Sequence, residues 1–304
     1  MIKQWIRAIR APFFTATIIP VLLGMAIAWA HTGQIFWMKL LLTLLGVVFV
    51  HAGTNLLNDY YDHKSKNDEL NLYPTPFSGG SRVIQEGLIS AENMFRSGLL
   101  LFGLGGAIGI YLNSISKGNV ILILGLVGLL LGFFYSARPI RIGYRGFGEL
   151  VVGFGFGPLV VGGSYYVQAQ RLSIEPFLAS IPITILILLV LYINEFPDYE
   201  ADILANKRTW IVKLGKERAI KIYHILLFLV YFTIASGIIF RFLPFFGILA
   251  FISLPLTLRA IAISWKNYDK IEELLPANAI TIRLHSIIGL LLTAGYFLDK
   301  LLLR

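Results

Sequence analysis

The chain has 304 residues, of which 57% are hydrophobic and only 14% are charged, and its formal net charge is +9. Soluble domains carry about 25% charged residues, so this composition indicates an integral membrane protein. The absence of cysteine excludes disulfides, zinc–thiolate sites, iron–sulfur clusters and thiol nucleophiles. No basic soluble face is available to bind nucleic acid, and the positive charge is better explained by membrane topology.

Apolar segments recur along the whole chain at the length that a membrane span requires, which is about 20 residues. The sequence predicts nine spans, over residues 12–31, 36–58, 94–113, 119–136, 148–168, 175–194, 220–240, 243–263 and 283–303. We therefore expect an all-α polytopic membrane protein that forms a single membrane-embedded domain over residues 1–304. An Asn-x-x-x-Asp echo at the ends of spans two and six indicates two related four-helix halves plus a ninth helix.

The distribution of basic residues predicts the orientation of these spans. With the N-terminus inside, the inside segments hold 20 of the 26 Lys and Arg residues and the outside segments hold the other 6. The long loops also all fall on the inside. The sequence therefore predicts a multi-pass protein of the cell (inner) membrane, with its N-terminus and active site on the cytoplasmic side.

Two acidic clusters interrupt this apolar sequence. Only 17 residues are Asp or Glu, and eight of them lie in residues 59–69 and 195–202. The first cluster contains Asn55, Asn58, Asp59, Asp62 and Asp68, and the second contains Asn194, Asp198 and Asp202. Because carboxylates are costly to keep near hydrocarbon, both clusters are candidates for function.

The spacing within each cluster favours a metal site. Residues three, four and seven apart share a helix face, so we expect the leading asparagine and the two aspartates of each cluster to point in one direction. Such oxygen ligands suit Mg²⁺, which takes one or two carboxylates together with substrate phosphates. Our hypothesis is that Asp59, Asp62, Asp198 and Asp202 bind Mg²⁺ and are catalytic. Pro197 is expected to loosen the helix just before Asp198.

Basic and polar residues near the clusters complete a predicted diphosphate site. The segment 78–82, Ser-Gly-Gly-Ser-Arg, is flexible enough for its backbone N–H groups to approach an anion. Arg and Lys side chains nearby would neutralise the charge of a diphosphate leaving group. The predicted substrate-binding residues are Asn55, Asn58, Asp68, Arg82, Arg138, Arg141, Tyr144, Asn194, Lys207 and Arg208.

Two other interpretations remain open from the residues alone. A cation-coupled membrane transporter would also place carboxylates in its spans, although usually near the middle of the membrane. Solvated helix ends would explain one acidic cluster, but they do not explain two clusters that share their spacing and their side. The histidines of the spans, His51, His224 and His285, are interpreted as hydrogen-bonded packing residues.

Together these motifs resemble the UbiA-type intramembrane prenyltransferases over the length of the chain. Residues 58–62 with Asp68 resemble the first Asp-rich motif of that family, and residues 198–202 resemble the second. Within the family, residues 78–83, 144–149 and 206–209 are most similar to the enzymes that prenylate 1,4-dihydroxy-2-naphthoate in menaquinone biosynthesis. Residues 194–198, Asn-Glu-Phe-Pro-Asp, depart from the Asn-Asn-x-x-Asp form of those enzymes.

The resemblance implies a nine-helix UbiA-like bundle and a reaction. It implies Mg²⁺-dependent transfer of a polyprenyl group from a polyprenyl diphosphate to an aromatic acceptor, with the polyprenyl tail in the apolar bundle. The implied partners are the polyprenyl diphosphate, the aromatic acceptor and the lipid bilayer. With 1,4-dihydroxy-2-naphthoate as acceptor the product leads to demethylmenaquinone, and 4-hydroxybenzoate or a lipid glycerol phosphate remain alternatives.

Overall fold

The structure is a computed structural model that describes residues 1–303, and every regular element in that range is helical. Its membrane helices are α1 Ala11–Thr32, α2 Trp37–Lys64, α3 Ala91–Ser114, α4 Val120–Phe134, α5 Gly148–Ala169, α6 Glu175–Asn194, α7 Lys216–Ile239, α8 Phe245–Asn267 and α9 Ile271–Leu302. Eight of them are long and apolar enough to span a membrane. The predicted all-α membrane bundle is confirmed.

The fourth helix is shorter than the other eight. With 15 residues, α4 is about 22 Å long at 1.5 Å per residue, whereas the hydrocarbon core of a bilayer is about 30 Å thick. All of its residues are Val, Ile, Leu, Gly or Phe, so it is suited to a fully apolar environment. Short helices at Ile2–Ala8, Asn67–Leu70, Tyr199–Leu204 and Trp210–Leu214 lie outside the membrane helices.

The last helix begins earlier than the sequence predicts. It starts at Ile271 rather than at residue 283, and it continues without interruption to Leu302. The first turn contains Glu272 and Glu273. The sequence prediction left this turn out because it required each span to be an apolar segment. Acidic side chains nevertheless stabilise the first turn of a helix, because they face its positive dipole end.

The second acidic cluster does not lie on one continuous helix, which corrects the predicted alignment of Asn194, Asp198 and Asp202. Helix α6 ends at Asn194, and a new helix begins at Tyr199 after a turn. Pro197 lies in that turn. Proline has no N–H to donate to the preceding helical turn, so it favours a break in the helix before Asp198, as predicted. The break lets the backbone change direction between Asn194 and Asp198.

Helices α2 and α3 pack closely along glycines. A Cβ atom on Gly53 of α2 would lie 2.9 Å from the carbonyl oxygen of Gly98 on α3, and one on Gly105 would lie 3.0 Å from that of Gly46. Side chains at these four positions would force the helices apart. The close approach fixes the position of α2, whose C-terminal turns carry the first acidic cluster.

Buried hydroxyl groups connect the helices around α7. The Tyr192 hydroxyl donates to the carbonyl oxygen of Ala219 at 2.9 Å, and the Tyr223 hydroxyl lies 2.6 Å from Thr281 Oγ1. Each of these tyrosines is completely buried in the main hydrophobic core. Since buried polar groups need partners, these bonds fix how α6, α7 and α9 pack.

Candidate active site

The two acidic clusters meet at one end of the helix bundle, here called the carboxylate end and formed by residues 59–82 and 194–208. The segment after α2 makes the connection. Asn71 Nδ2 donates to Asp198 Oδ1 at 2.7 Å, and Asn67 Nδ2 donates to Asp202 Oδ1 at 3.4 Å. Residues more than 120 positions apart in the sequence are therefore in direct contact.

The aspartates of the first cluster are held by different groups. Asp59 is buried and accepts hydrogen bonds from the Arg10 guanidinium and from the hydroxyl and backbone N–H of Ser81, the last at 3.2 Å. Asp62 accepts a hydrogen bond from the Tyr144 hydroxyl at 2.6 Å and one from Asn58 Nδ2 at 2.9 Å. The Asp59 carboxylate is thus neutralised by a cation, whereas Asp62 is bound only by neutral donors.

The aspartates of the second cluster are held in a similar way. Asp202 is fully buried and pairs with the Lys207 ammonium at 3.3 Å. Asp198 is partly buried at the start of the short helix Tyr199–Leu204, and its Oδ2 accepts from the backbone N–H of Gly79 at 3.3 Å. Each cluster therefore has one aspartate paired with a cation and one bound by neutral donors.

The glycine-rich segment 78–82 lies between the two clusters. Its backbone has positive φ at Gly79 (76°) and Gly80 (72°), a conformation that glycine adopts without strain. A Cβ atom on Gly80 would lie 2.5 Å from Asp68 Oδ2, so the segment passes directly over that carboxylate. The N–H groups of Gly79 and Ser81 donate to Asp198 and Asp59, and not to an open anion site as the sequence predicts.

Burial and crowding of like charges dominate the electrostatics of the carboxylate end. Burial, and then the nearby Asp62 and Asp59 carboxylates, raise the pKa of Asp68 well above its usual value. Burial raises the pKa of Asp202 to about 7, although Lys207 acts in the opposite direction. An additional cation at this end would relieve the repulsion among these groups.

Lys207 is a cation that interacts with both clusters. Burial alone would lower the pKa of its ammonium, but the Asp202 and Asp62 carboxylates outweigh burial, so that the pKa is raised well above the ordinary lysine value. Lys207 thus keeps its positive charge in a buried position. Its Nζ also lies 5.8 Å from the centre of the Tyr144 ring.

The donor atoms at the carboxylate end fit a Mg²⁺ ion that is shared with a substrate. Asp68 Oδ2, Asp202 Oδ2 and Asn67 Oδ1 are buried and have no hydrogen-bond partner. These are hard oxygen ligands of the kind that Mg²⁺ prefers. Within residues 1–303, however, no three Asp, Glu or His groups are close enough to form a complete metal site. The four predicted aspartates are thus not preassembled around one ion, and phosphate oxygens would have to complete its coordination.

A large apolar cavity extends from the carboxylate end into the bundle. Its volume is about 1660 Å³, and its polar end includes Asp62, Asp198 and Lys207. The remaining walls come mainly from α2 to α6. Ile110 of α3 and Leu126 of α4 line the cavity, and both are more than half exposed.

The structure separates the predicted site residues into three groups. The residues that line the cavity are Asn55, Asn58, Asp62, Asp68, Arg82, Asn194, Asp198 and Lys207. Asp59, Asp202 and Tyr144 lie directly behind this wall and contact it through hydrogen bonds or ion pairs. The third group, Arg138, Arg141 and Arg208, does not line the cavity.

The side chains of the three arginines in the last group lie off the cavity wall, so their role in substrate binding stays a prediction. Arg138 and Arg208 are exposed, and the Arg141 guanidinium stacks 3.5 Å from the centre of the Tyr144 ring. Arg208 contributes its backbone instead, because its N–H donates to the carbonyl oxygen of Tyr144 at 3.0 Å. Their proximity to the clusters in sequence does not bring their side chains to the cavity.

Sequence reasoning missed Arg10, the cation that pairs with Asp59. Arg10 precedes α1, lines the cavity and also donates to Asn58 Oδ1 at 3.0 Å. A basic residue before a first span is usually interpreted as a topology signal. The contact of Arg10 with Asp59 was therefore not predicted. Asn67, Asn71 and Ser81 were missed as well, since only the fold brings them to the aspartates.

The helices have the length and composition of membrane spans, and they surround an apolar cavity with carboxylates and buried cations at one end. These features define an all-α integral membrane enzyme. The chain belongs to the UbiA prenyltransferase family, whose sequence pattern matches residues 17–287. It is therefore a prenyltransferase, and the transporter interpretation is set aside. The polar end of the cavity contains the Asp-rich motifs by which the sequence resembles this family.

Known proteins are similar to this chain over nearly its whole length. The chain is 29% identical over 294 residues to a 2-carboxy-1,4-naphthoquinone phytyltransferase of Synechocystis sp., covering 97% of this chain and 93% of that protein. It is 26% identical over 290 residues to a 1,4-dihydroxy-2-naphthoate octaprenyltransferase of Bacillus subtilis, covering 94% and 89%. Its fold is similar to that of a UbiA homologue from Archaeoglobus fulgidus bound to GPP and Mg²⁺, with a TM-score of 0.67, 19% identity and coverage of 96% and 99%.

Proposed function

We propose that this protein transfers a polyprenyl group from a polyprenyl diphosphate to 1,4-dihydroxy-2-naphthoate, in a reaction that depends on Mg²⁺. The observation that carries the proposal is the meeting of two carboxylate clusters and Lys207 at the polar end of a 1660 Å³ apolar cavity. Such a cavity suits a substrate with a charged head and a long apolar tail. The names of the two naphthoate-specific relatives support the choice of acceptor.

The chain's own residues have distinct roles in this proposal. Asp62, Asp68 and Asp198 line the cavity, and Asp68 Oδ2 and Asp202 Oδ2 have no hydrogen-bond partner. These four carboxylates would hold Mg²⁺ together with the diphosphate, while Asp59 supports them from behind. Bound Mg²⁺ would neutralise diphosphate oxygens and make the diphosphate a better leaving group. Lys207 presents a positive charge to the same oxygens, and Arg82 is placed on the cavity wall to do so as well.

The proposed reaction exchanges one bond for another. The allylic C–O bond breaks, and its electron pair leaves with pyrophosphate. An electron-rich ring carbon of the acceptor forms a C–C bond to the prenyl carbon, and the ring carboxylate leaves as CO₂. The product is the prenylated naphthoquinol, the reduced form of demethylmenaquinone. The apolar walls keep water away from the developing allylic cation.

The membrane orientation forms a second part of the proposal. We propose a multi-pass protein of the cell membrane whose carboxylate end faces the cytoplasm. The excess of Lys and Arg in the segments at that side supports this orientation. Water-soluble substrates and pyrophosphate would then enter and leave on the cytoplasmic side, while the polyprenyl tail reaches the cavity from the bilayer.

A panel of acceptors tests the proposal directly. Purified protein is incubated with Mg²⁺, geranylgeranyl or longer diphosphates, and either 1,4-dihydroxy-2-naphthoate, 4-hydroxybenzoate or a glycerol phosphate, and the products are identified by mass. We expect transfer to the naphthoate, and loss of transfer after removal of Mg²⁺ with a chelator. Asp198→Asn should lower the rate at least about a hundredfold. Glu200→Gln, which changes an exposed carboxylate on the same short helix, should leave the rate unchanged.

The other results of the panel have definite meanings. Transfer to 4-hydroxybenzoate alone would replace the proposed acceptor but keep the diphosphate chemistry. If no acceptor in the panel receives a prenyl group under any condition, the proposed function is wrong.

A further inference from the structure

A second set of buried polar atoms lies on the cavity wall formed by α6 and α9. Glu195 is 4% exposed and His285 is 1% exposed, and both residues line the cavity. Glu195 Oε2 and His285 Nε2 have no hydrogen-bond partner. Glu195 Oε2 can share a proton with Glu149, but His285 Nε2 is left without a partner, and a buried polar atom without a partner costs stability. A ligand at this wall could supply the missing bond.

The other histidines of the spans differ from His285. His51 Nδ1 lies 2.8 Å from Thr17 Oγ1, and His224 Nε2 lies 2.9 Å from Ser264 Oγ, as the sequence-based interpretation requires. His285 Nε2 has no such partner.

The two polar groups lie at different depths of the same wall. Asn278 Nδ2 on α9 donates to Asn194 Oδ1 at 2.8 Å, which places this part of α9 beside the end of α6. Glu195 follows Asn194 directly, at the carboxylate end. His285 lies seven residues beyond Asn278 on α9, about 10 Å further into the bundle at 1.5 Å per residue. The wall between them includes the apolar Leu191 and Ile282.

Glu149 lies beside Glu195, and the two carboxyl groups form a hydrogen bond when one of them carries a proton. Glu149 is fully buried, and its Oε1 accepts from the backbone N–H of Trp210 at 2.6 Å, whereas Oε2 has no partner. Burial, and then the Glu149 carboxylate, raise the pKa of Glu195 well above its usual value. The two carboxyl groups can share a proton, and the Glu195 carboxyl, which lines the cavity, keeps its capacity to accept a hydrogen bond.

We propose that Glu195 and His285 bind oxygen substituents of the aromatic acceptor and so hold its ring beside the allylic carbon of the prenyl diphosphate. The inference rests on the proposed function and specifies the acceptor side of the same cavity. Glu195 contributes a hydrogen-bond acceptor near the diphosphate, and His285 contributes Nε2 deeper in the cavity. The flat ring lies between them against the apolar wall. The acceptor class is an aromatic ring with at least two oxygen substituents.

Separate kinetic constants for the two substrates test this proposal in the full-length protein with Mg²⁺. Glu195→Leu and His285→Phe should each raise the KM for 1,4-dihydroxy-2-naphthoate about tenfold or more. The KM for the prenyl diphosphate should stay within about twofold, and so should the slow release of pyrophosphate without acceptor. Glu195→Gln keeps an acceptor oxygen, and its NH2 group can donate to Glu149, so this variant should retain most of the affinity for the naphthoate. His224→Phe removes a buried histidine that does not line the cavity, and it should leave both KM values unchanged.

The results distinguish this inference from the proposed function. If the wild-type protein transfers a prenyl group but neither variant raises the acceptor KM, the inference is overturned and the proposed function stands. If wild-type protein releases pyrophosphate but prenylates no acceptor, the proposed function itself fails. Should His285→Phe be recovered unfolded, His285→Gln takes its place: an acceptor KM at least about threefold higher supports the proposal, and an unchanged one overturns it.

Discussion

Lys207 shows how a single residue balances the charges of the carboxylate end. Its ammonium is mostly buried, pairs with Asp202 at 3.3 Å and lies close to Asp62 as well. Breaking a buried ion pair by removing one partner leaves the other charge without compensation. The same ammonium lines the cavity where a diphosphate would bind. One positive charge therefore stabilises the buried Asp202 carboxylate and has the proposed role of binding the diphosphate.

We expect Lys207→Met to lower both stability and activity. The free energy of unfolding should fall by about 3 kcal/mol, because Asp202 stays buried without its cation. The KM for the prenyl diphosphate should also rise. Thermal unfolding in detergent and steady-state kinetics measure the two effects. Lys221→Met is the matched control, since Lys221 is exposed and solvent screens its pair with Glu217, so its loss should barely change stability. Equal losses in both variants would contradict the buried role of Lys207.

At the scale of secondary-structure elements, the distance between α2 and α3 controls where the first acidic cluster lies. The helices approach through glycines, and a Cβ atom on Gly98 would lie 2.8 Å from Leu57 Cγ. Leu57 is itself completely buried next to the cluster. A larger residue at position 98 would therefore move α2 relative to Asp198 and Lys207.

Gly98→Leu should therefore reduce activity by displacing Asp59 and Asp62. Overpacking of this kind should cost about 1–3 kcal/mol of stability, and the rate of prenyl transfer should fall at saturating substrate. Gly103→Leu is the control on the same helix, because a Cβ atom there has no neighbour within 4 Å. Rates and melting temperatures of both variants, measured side by side, give the answer. A Gly98→Leu protein with wild-type activity would show that the helix contact does not position the cluster.

At the scale of the whole molecule, the cavity has a polar end and a long apolar interior. Gly109 of α3 lines this interior, and a Cβ atom on it would meet no protein atom within 4 Å. A side chain at that position would enter the space available to the polyprenyl tail without disturbing the helices.

Gly109→Phe should accordingly shift the preference of the enzyme toward shorter prenyl diphosphates. The phenyl ring occupies part of the cavity, so long tails lose affinity while short tails still fit. A competition between a short and a long prenyl diphosphate, read from the masses of the products, measures this preference. Gly103→Phe, on the same helix but not on the cavity, should leave the product ratio unchanged. An unaltered ratio in the Gly109 variant would place the tail elsewhere.

The sequence alone determined the helical membrane architecture and the chemical character of the site. Hydrocarbon imposes long apolar segments, and carboxylates are too costly near lipid to occur there without function, so both features are visible in composition and spacing. The predicted Pro197 break also follows from a local property, the missing N–H of proline.

Only the tertiary structure decided which side chains face the cavity. The bond from Asn71 to Asp198 joins residues 127 positions apart, and no local pattern predicts it. The same holds for Arg10 and His285, which the fold brings to the cavity, and for Arg138, which it leaves exposed. Local spacing determines the face of one helix, but a binding site depends on how several helices pack, and that packing is set by contacts far apart in the chain.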